Sequence, residues 1–271
     1  MRTVLLTHDY EKAVKRLEGE FPSRSHVRKT LTEDAKMITK DGTVGLLLCN
    51  VIPTPLHKLA YELWRDVHQL PDNRVTAVGT ASLFRRNSDG NLGKRRGVVK
   101  SVKKILRERN TAHGLIGYLD AAPDHRCHRT PLTREHPEML VGNERLIKLV
   151  DELYKFWLGD FYARQRAEIE KVQSWRLWET VFSTIYLAKN FRTAYHFDGG
   201  NLKGVMTALM PMGDFKGGEL VFPRWRYAIG FRPGDLLLFN SAEILHGNLP
   251  FEGDRLSAAF YCESRIGECG G

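Results

Sequence analysis

The sequence has few cysteines, no long apolar run and no internal repeat, and each lack excludes a class of protein. Its 271 residues include four cysteines, too few for a small disulfide-based scaffold. The longest apolar stretch, residues 44–52, is far below the roughly 20 residues that span a bilayer. The N-terminus has no apolar run long enough for a signal peptide. We therefore expect a soluble, intracellular, globular protein that acts at no membrane.

The pattern of apolar residues divides the chain into two parts. Residues 1–174 alternate helical and strand-like patterns, with a long helix at 144–172 that is interrupted near Gly159. Residues 175–265 consist of short β-rich runs separated by turns. No linker divides the two parts, so we expect one domain over residues 1–271. The prediction is an α+β fold, with N-terminal helices packed on a jelly roll of antiparallel strands.

Positive charge is concentrated in one segment. Residues 85–109 contain ten Lys or Arg residues against two acidic ones, and this net charge of +8 is nearly all of the chain's +9. Such a segment suits the phosphates of a nucleic acid, and a solubilising surface is the alternative. The candidate contacts to a nucleic acid backbone lie on one side of a predicted helix and in the loop before it: Arg95, Arg96, Lys100, Lys103 and Lys104.

Histidine and cysteine residues cluster shortly after the basic segment. His125, Cys127 and His128 are close in sequence, and His136 is nearby. These residue types bind zinc, but no Cys-x-x-Cys pair accompanies them. A second metal site is one interpretation, and a solvated loop is the other.

A His-x-Asp sequence lies in the strand-like stretch "RTAYHFDGGN". Residues two apart in a strand point to the same side, so His196 and Asp198 can reach one metal ion. His246, just after a strand-like run, is the best-placed third ligand. Two histidines and one carboxylate with open coordination positions are typical of non-haem Fe(II) oxygenases. For His246, a strand-end histidine bonded to a loop is the alternative.

An arginine and a serine two residues apart follow the third histidine. Arg255 and Ser257 would face the same way on a strand and form a site for a carboxylate. His-x-Asp, then His, then Arg-x-Ser is the set that Fe(II) together with 2-oxoglutarate would require. Arg192, or Asn190 beside it, is a candidate contact for the other end of 2-oxoglutarate.

Residues 180–265 resemble the 2-oxoglutarate/Fe(II)-dependent dioxygenases, and more narrowly their TET/JBP branch. "NFRTAYHFDGGN" has the His-x-Asp-x-x-Asn form of that branch, and "GGELVFP", "GFRPGDLLLFNS" and "LHGN" resemble its central strands. "RLSAAFYCE" resembles its Arg-x-Ser-x-x-Phe-Tyr strand. The resemblance implies a double-stranded β-helix and the cofactors Fe(II), 2-oxoglutarate and O₂, with ascorbate as a reductant. It also implies hydroxylation of the 5-methyl group of a pyrimidine in nucleic acid.

The same resemblance assigns residues to the substrate base. Asn201 would hydrogen-bond a flipped base, and Tyr261 would stack on it. Glu263 lies where related enzymes often carry a base-contacting histidine, and its carboxylate could accept from the cytosine 4-amino group or from thymine N3–H. The alternatives are that Asn201 is a turn residue, that Tyr261 is a core residue and that Glu263 lies at a solvated strand end. Because a stacked methyl group cannot reach a buried iron, the base would have to be flipped out of double-stranded DNA.

We therefore expect a dioxygenase that converts 5-methylcytosine in DNA to 5-hydroxymethylcytosine, with further oxidation left open. The alternatives are hydroxylation of thymine in DNA, a same-fold oxygenase for a protein or small molecule, and a DNA-binding jelly roll without activity. We expect a compact phage or bacterial member of the family that acts as a monomer. Its expected location is the cytoplasm of a bacterial or phage-infected cell, or the nucleus if the source is eukaryotic.

Overall fold

A computed structural model of the chain describes residues 1–7, 10, 14–67, 111–119 and 127–270. The basic segment 85–109 lies outside the described residues, and so does His125. The site residues expected at 190–263 all lie inside them.

The described residues form thirteen β-strands, five α-helices and short 3₁₀ turns. The strands are β1 (Arg2–Leu5), β2 (Lys29–Leu31), β3 (Ala35–Thr39), β4 (Gly42–Leu48), β5 (Ala112–Leu119), β6 (His128–Arg129), β7 (Thr184–Lys189), β8 (Thr207–Gly217), β9 (Leu220–Phe222), β10 (Tyr227–Ile229), β11 (Leu236–Phe239), β12 (Gly247–Asn248) and β13 (Phe251–Tyr261). The helices are α1 (Thr54–Trp64), α2 (Pro131–Glu135), α3 (Pro137–Val141), α4 (Glu144–Trp157) and α5 (Gly159–Ile169).

The strands form two sheets. The larger has nine strands in the order β1-β3-β4-β11-β8-β13-β7-β5-β6, and the smaller has the order β12-β9-β10-β2. Pairing is antiparallel except between β1 and β3 and between β10 and β2. Residues of both sheets share one hydrophobic core, in which Phe222 and Ile229 of the small sheet pack with Leu237 and Phe239 of the large one. The two sheets therefore lie face to face as a sandwich.

The other face of the large sheet is covered by helices. Leu236 and Leu238 of β11 point into a second core, together with Trp64 of α1 and with Ile147 and Val150 of α4. Successive residues of β11 thus enter different cores, as the period of two in a strand requires. Burial on both faces explains why this strand is an unbroken apolar run.

The predicted fold class is confirmed, since the chain forms an antiparallel sandwich with helices packed on it. The expected interruption near Gly159 is the boundary between α4 and α5. The β-rich runs expected after residue 175 contain β7 to β11 and β13. Strands β1, β3 and β4 come from the N-terminal part and extend the same large sheet. Within the described residues, no helix combines the length and apolarity needed to cross a bilayer.

The zinc-site interpretation of the histidine and cysteine cluster is wrong. Cys127 forms a disulfide with Cys269, so its sulfur is bonded to carbon and sulfur and is not a thiolate ligand for zinc. His128 begins β6, and Nδ1 of His136 lies 3.1 Å from a carboxylate oxygen of Glu138. The sequence could not show this pairing, because its partners lie 142 residues apart.

Candidate iron and cosubstrate site

The backbone brings His196 and His246 together. They face each other in an isolated antiparallel bridge, in which the His196 amide donates to the His246 carbonyl at 2.9 Å and the His246 amide donates back at 3.1 Å. Their ring centres lie 4.4 Å apart. The expected strand over 192–201 needs correction, because its extended backbone makes single bridges and forms no regular strand.

The hydrogen bonds of the two rings define their tautomers. Nδ1 of His196 bonds to the carbonyl of Ala194, and Nδ1 of His246 to that of Ile244, each at 2.8 Å. A carbonyl only accepts, so each Nδ1 carries the proton and each Nε2 keeps its lone pair. The two Nε2 atoms lie 3.5 and 3.7 Å from the two carboxylate oxygens of Asp198. Since one ligand atom from each residue lies within 4.8 Å of the others, the trio fits a metal ion.

A tight turn orients the Asp198 carboxylate. The amide of Asp198 donates to the carbonyl of Ser241 at 3.0 Å, and its own carbonyl accepts from the amide of Asn201 at 3.0 Å. Gly199 and Gly200 are the central residues of this turn. Backbone bonds therefore position the aspartate without using its side chain.

Arg255 and Ser257 share a cavity with this trio. They lie two residues apart on β13 and line the space between the two sheets, together with His196, Asp198 and His246. The aliphatic and aromatic wall of the cavity is formed by Ala188, Phe191, Leu209, Leu220, Phe239 and Ala259. The sequence-predicted metal ligands and carboxylate-binding residues are thus brought together.

The Arg255 side chain is buried with an unmet hydrogen bond. The residue is 3% exposed, and its Nε has no hydrogen-bond partner among the residues that the structure describes. The guanidinium lies 5.4, 5.4 and 5.9 Å from the ring centres of Phe215, Phe251 and Phe231. A buried unpaired donor is costly, and a carboxylate is the group that a guanidinium pairs with best. The residues present therefore fit a carboxylate cosubstrate such as 2-oxoglutarate.

Burial also affects the ionisation of Arg255. Desolvation lowers the pKa of its guanidinium to about 10, and the Glu219 carboxylate opposes this shift. The side chain therefore remains a cation near neutral pH. Its charge is available to an anion that enters the cavity.

Asn190 and Arg192 lie off the cavity wall. Asn190 adopts a φ of 50° and pairs with the backbone of Arg255, its amide donating to the Arg255 carbonyl at 2.8 Å and its Oδ1 accepting from the Arg255 amide at 2.9 Å. Arg192 donates to the carbonyl of Pro22 at 3.1 Å and lies 4.5 Å from the ring centre of Phe21. Asn190 therefore positions Arg255. A contact from either residue to 2-oxoglutarate stays a prediction.

The cavity also contains polar residues that sequence reasoning missed. Tyr186, Thr193, Thr207 and Asn248 line it. The Thr193 hydroxyl donates to Oδ1 of Asn248 at 2.7 Å, and Nδ2 of Asn248 donates to the Gly218 carbonyl at 3.0 Å. The period of two along β7 and β8 could have signalled Tyr186 and Thr207, which lie two residues before Ala188 and Leu209 of the same cavity.

The three residues expected to bind the base are buried and bonded to neighbours. Nδ2 of Asn201 donates to the hydroxyls of Thr207 and Ser241, both at 3.0 Å. The Tyr261 hydroxyl donates to Oε1 of Glu263 at 3.0 Å. Asn201 and Glu263 face each other in a second isolated bridge, so both lie beside the turn that follows Asp198. Their contacts to a base stay predictions.

The candidate DNA-backbone contacts cannot be placed relative to this site. They all lie outside the described residues: Arg95, Arg96, Lys100, Lys103 and Lys104.

Comparison with known proteins gives the family. The model of the Tet_JBP family, described as the oxygenase domain of the 2OGFeDO superfamily, matches residues 113–264, more than half of the chain. The chain belongs to this family. The resemblance drawn from the sequence is confirmed. The cofactors of the superfamily are Fe(II), 2-oxoglutarate and O₂, which agrees with the histidine–aspartate trio in the cavity.

Two curated relatives are similar to the chain over part of their length. The bifunctional helicase and thymine dioxygenase JBP2 of Trypanosoma brucei brucei is 35% identical over 167 residues, which are 59% of this chain and 15% of that protein. The thymine dioxygenase JBP1 of Crithidia fasciculata is 31% identical over 166 residues, which are 57% of this chain and 20% of that protein. The chain thus matches only a small part of each relative.

A solved structure shows the same fold. The structure of NgTET1 in complex with 5mC DNA aligns with 97% of this chain and 83% of its own, at a TM-score of 0.55 and 13% identity. At this identity the likeness supports the fold alone. The sandwich of this Tet_JBP member is thus the double-stranded β-helix expected from its sequence.

Proposed function

We propose that this Tet_JBP member is an Fe(II)/2-oxoglutarate-dependent dioxygenase that hydroxylates the 5-methyl group of a pyrimidine in DNA. One observation carries the proposal. A single cavity contains both the ligand atoms of His196, Asp198 and His246 and a buried arginine, Arg255, whose Nε has no partner within the described part of the chain. Iron and a dicarboxylate cosubstrate need these two features side by side.

The relatives support a methylated pyrimidine as the substrate. Two proteins with 31% and 35% identity are named thymine dioxygenases, and this favours thymine in DNA. The second candidate is 5-methylcytosine, the base predicted from the sequence, and the NgTET1 complex with 5mC DNA supports it through the fold alone. Segment 85–109, with its charge of +8, is the candidate contact for DNA phosphates.

The residues of the cavity have distinct tasks in this proposal. Nε2 of His196, Nε2 of His246 and the Asp198 carboxylate would hold the metal. The guanidinium of Arg255 would bind a carboxylate of the cosubstrate, and Ser257 would donate its hydroxyl. When bound, Fe(II) would activate O₂, the oxidant, and 2-oxoglutarate would supply two of the four electrons that O₂ accepts while the methyl C–H bond is hydroxylated. The apolar wall would exclude water. Because His196 and His246 are buried, the base would have to leave the duplex to reach the metal.

The test is a nucleoside analysis. The protein is incubated with Fe(II), 2-oxoglutarate, O₂ and ascorbate, together with duplex DNA that contains either thymine and unmodified cytosine or 5-methylcytosine. Mass spectrometry of the digested DNA should show a 5-hydroxymethyl nucleoside, and succinate should form in parallel. No hydroxymethyl nucleoside from either DNA would contradict the proposal. If succinate still formed with a peptide substrate, the same-fold oxygenase for protein would replace it.

A further inference from the structure

A carboxylate lies near the Arg255 guanidinium without pairing with it. Glu219 follows Gly218, whose backbone is so close to the arginine that an added Cβ would lie 3.5 Å from its Nε. The Glu219 charge reaches the guanidinium, because it opposes the lowering of the Arg255 pKa by burial. Nε of Arg255 and Oε2 of Glu219 are nevertheless both buried, and neither has a hydrogen-bond partner among the described residues. Opposite charges with unmet bonds in a protein interior should pair, so a further contact must keep these two apart.

The second oxygen of Glu219 shows that contact. Its Oε1 accepts a hydrogen bond from Nη2 of Arg24, which lies 195 residues earlier in the chain. The Arg24 side chain is 65% exposed and that of Glu219 only 15%, so the bond draws the carboxylate toward the protein surface. The backbone of Glu219 is fixed, since its carbonyl accepts from the Leu249 amide at 3.0 Å. The Glu219 side chain alone therefore decides which cation its carboxylate faces.

Arg24 is held in place by contacts other than this ion pair. It begins a 3₁₀ turn, in which Nδ1 of His26 lies 3.0 Å from the hydroxyl of the buried Tyr195. The carbonyl of Ser25, in the same turn, accepts from Nη2 of Arg226 at 2.9 Å. The backbone of Arg24 is therefore positioned independently of the carboxylate. An exposed ion pair usually contributes little to stability, so we expect this one to matter for ligand binding rather than for folding.

We propose that Arg24 is a positioning residue for cosubstrate binding, which holds the Glu219 carboxylate away from Arg255 and so keeps the guanidinium open to a carboxylate of 2-oxoglutarate. The inference rests on the proposed function and adds the residue that keeps its arginine unpaired. Without Arg24, the Glu219 carboxylate would lose the only hydrogen bond that the described residues make to it. It would then pair with Arg255 and compete with the cosubstrate for the same donors.

Calorimetry tests this competition without turnover. The protein is loaded with Fe(II) in the absence of O₂ and titrated with 2-oxoglutarate. The dissociation constant should rise about tenfold in Arg24→Ala, because a charge-assisted pair inside the protein must first be broken. It should not rise in Glu219→Gln. In the double variant, Arg24→Ala with Glu219→Gln, it should return to within about twofold of the wild-type value, since a neutral amide bonds a guanidinium more weakly than a carboxylate does.

A second exposed ion pair supplies the matched control. Nη1 of Arg65 lies 3.0 Å from a carboxylate oxygen of Glu62, and both side chains are about half exposed. Arg65→Ala removes the same kind of cation from the surface, and it should leave the dissociation constant for 2-oxoglutarate unchanged. The melting temperature should stay near the wild-type value in both Arg24→Ala and Arg65→Ala.

The double variant separates competition by Glu219 from a purely structural role of Arg24. An unchanged dissociation constant in Arg24→Ala would overturn the inference and leave the proposed function intact. A weakened affinity that Glu219→Gln does not restore would show that Arg24 acts through the fold, and would also overturn it. A wild-type protein that binds no 2-oxoglutarate would remove the proposed function, and this inference with it. If the wild-type protein bound 2-oxoglutarate but hydroxylated no DNA, the proposed substrate would fail and the role of Arg24 would stand.

Discussion

The two ends of the candidate site satisfy their polar groups in opposite ways. At the end proposed for the cosubstrate, Arg255 is buried, and none of the described residues bonds to its Nε. At the end proposed for the base, Asn201 donates to two hydroxyls, and Tyr261 donates to Glu263. A ligand that pairs with Arg255 adds a bond, whereas a base that pairs with Glu263 must share or replace existing ones. A new bond to Arg255 offsets the desolvation cost of its unmet donor, whereas an exchange of bonds at Glu263 involves the residues already bonded there. We therefore expect cosubstrate affinity to depend on fewer residues than base choice.

The largest effect is expected from the loss of a candidate metal ligand, because both the cosubstrate and the base need the metal. Asp198→Ala should lower hydroxylation by roughly a thousandfold or more, because one of three candidate iron ligands is lost. Metal content by elemental analysis and product by mass spectrometry measure the change. The turn should persist, since Asp198 holds it through its amide and carbonyl. The melting temperature and DNA affinity should therefore match those of wild type. Loss of DNA affinity in a folded Asp198→Ala variant would contradict the expectation that DNA binding and hydroxylation depend on different residues.

The second effect is confined to the cosubstrate end. Arg255→Met should raise the KM for 2-oxoglutarate about a hundredfold or more, because charge-assisted hydrogen bonds to its carboxylate are lost. The same variant should melt at a higher temperature than wild type when no cosubstrate is present, since it removes a buried cation with an unmet bond. Arg255→Lys is the matched control that keeps the charge and loses the planar fork. An unchanged KM for 2-oxoglutarate in Arg255→Met would contradict the assignment.

The smallest effect is expected at the end proposed for the base, where the preference between thymine and 5-methylcytosine should change. Glu263→Gln replaces an acceptor-only group by one that also donates, so the ratio of kcat/KM for thymine to that for 5-methylcytosine should shift roughly tenfold. Tyr261→Phe removes only the hydroxyl that donates to Glu263, and the ratio should shift a few-fold. The KM for 2-oxoglutarate should be unchanged in both. Equal losses on both bases would show that Glu263 does not distinguish them.

Local patterns predicted the parts of this site that depend on strand periodicity and residue order. His196 with Asp198, and Arg255 with Ser257, are pairs two residues apart, and the fold places each pair on the same cavity. The role of Asn190 was not predictable, because it depends on a positive φ and on reciprocal bonds to a residue 65 positions away. The contacts of Asn201 with Thr207 and Ser241 likewise appear only in three dimensions.

The same limit applies to the fold. Short apolar runs predicted most strands after residue 175, since each run reflects burial along one strand. The order of the strands in the sheet depends on pairing between distant segments. No local signal places β4 beside β11, or β13 between β8 and β7.

The reciprocal bridge between His196 and His246 has an evolutionary consequence. Both of its hydrogen bonds join backbone atoms, so a substitution of either histidine would leave them in place. A descendant of this chain could lose its metal through one such change while it kept its sandwich and any surface that binds DNA. Such a descendant would be a DNA-binding protein without oxidising activity that derives from an enzyme.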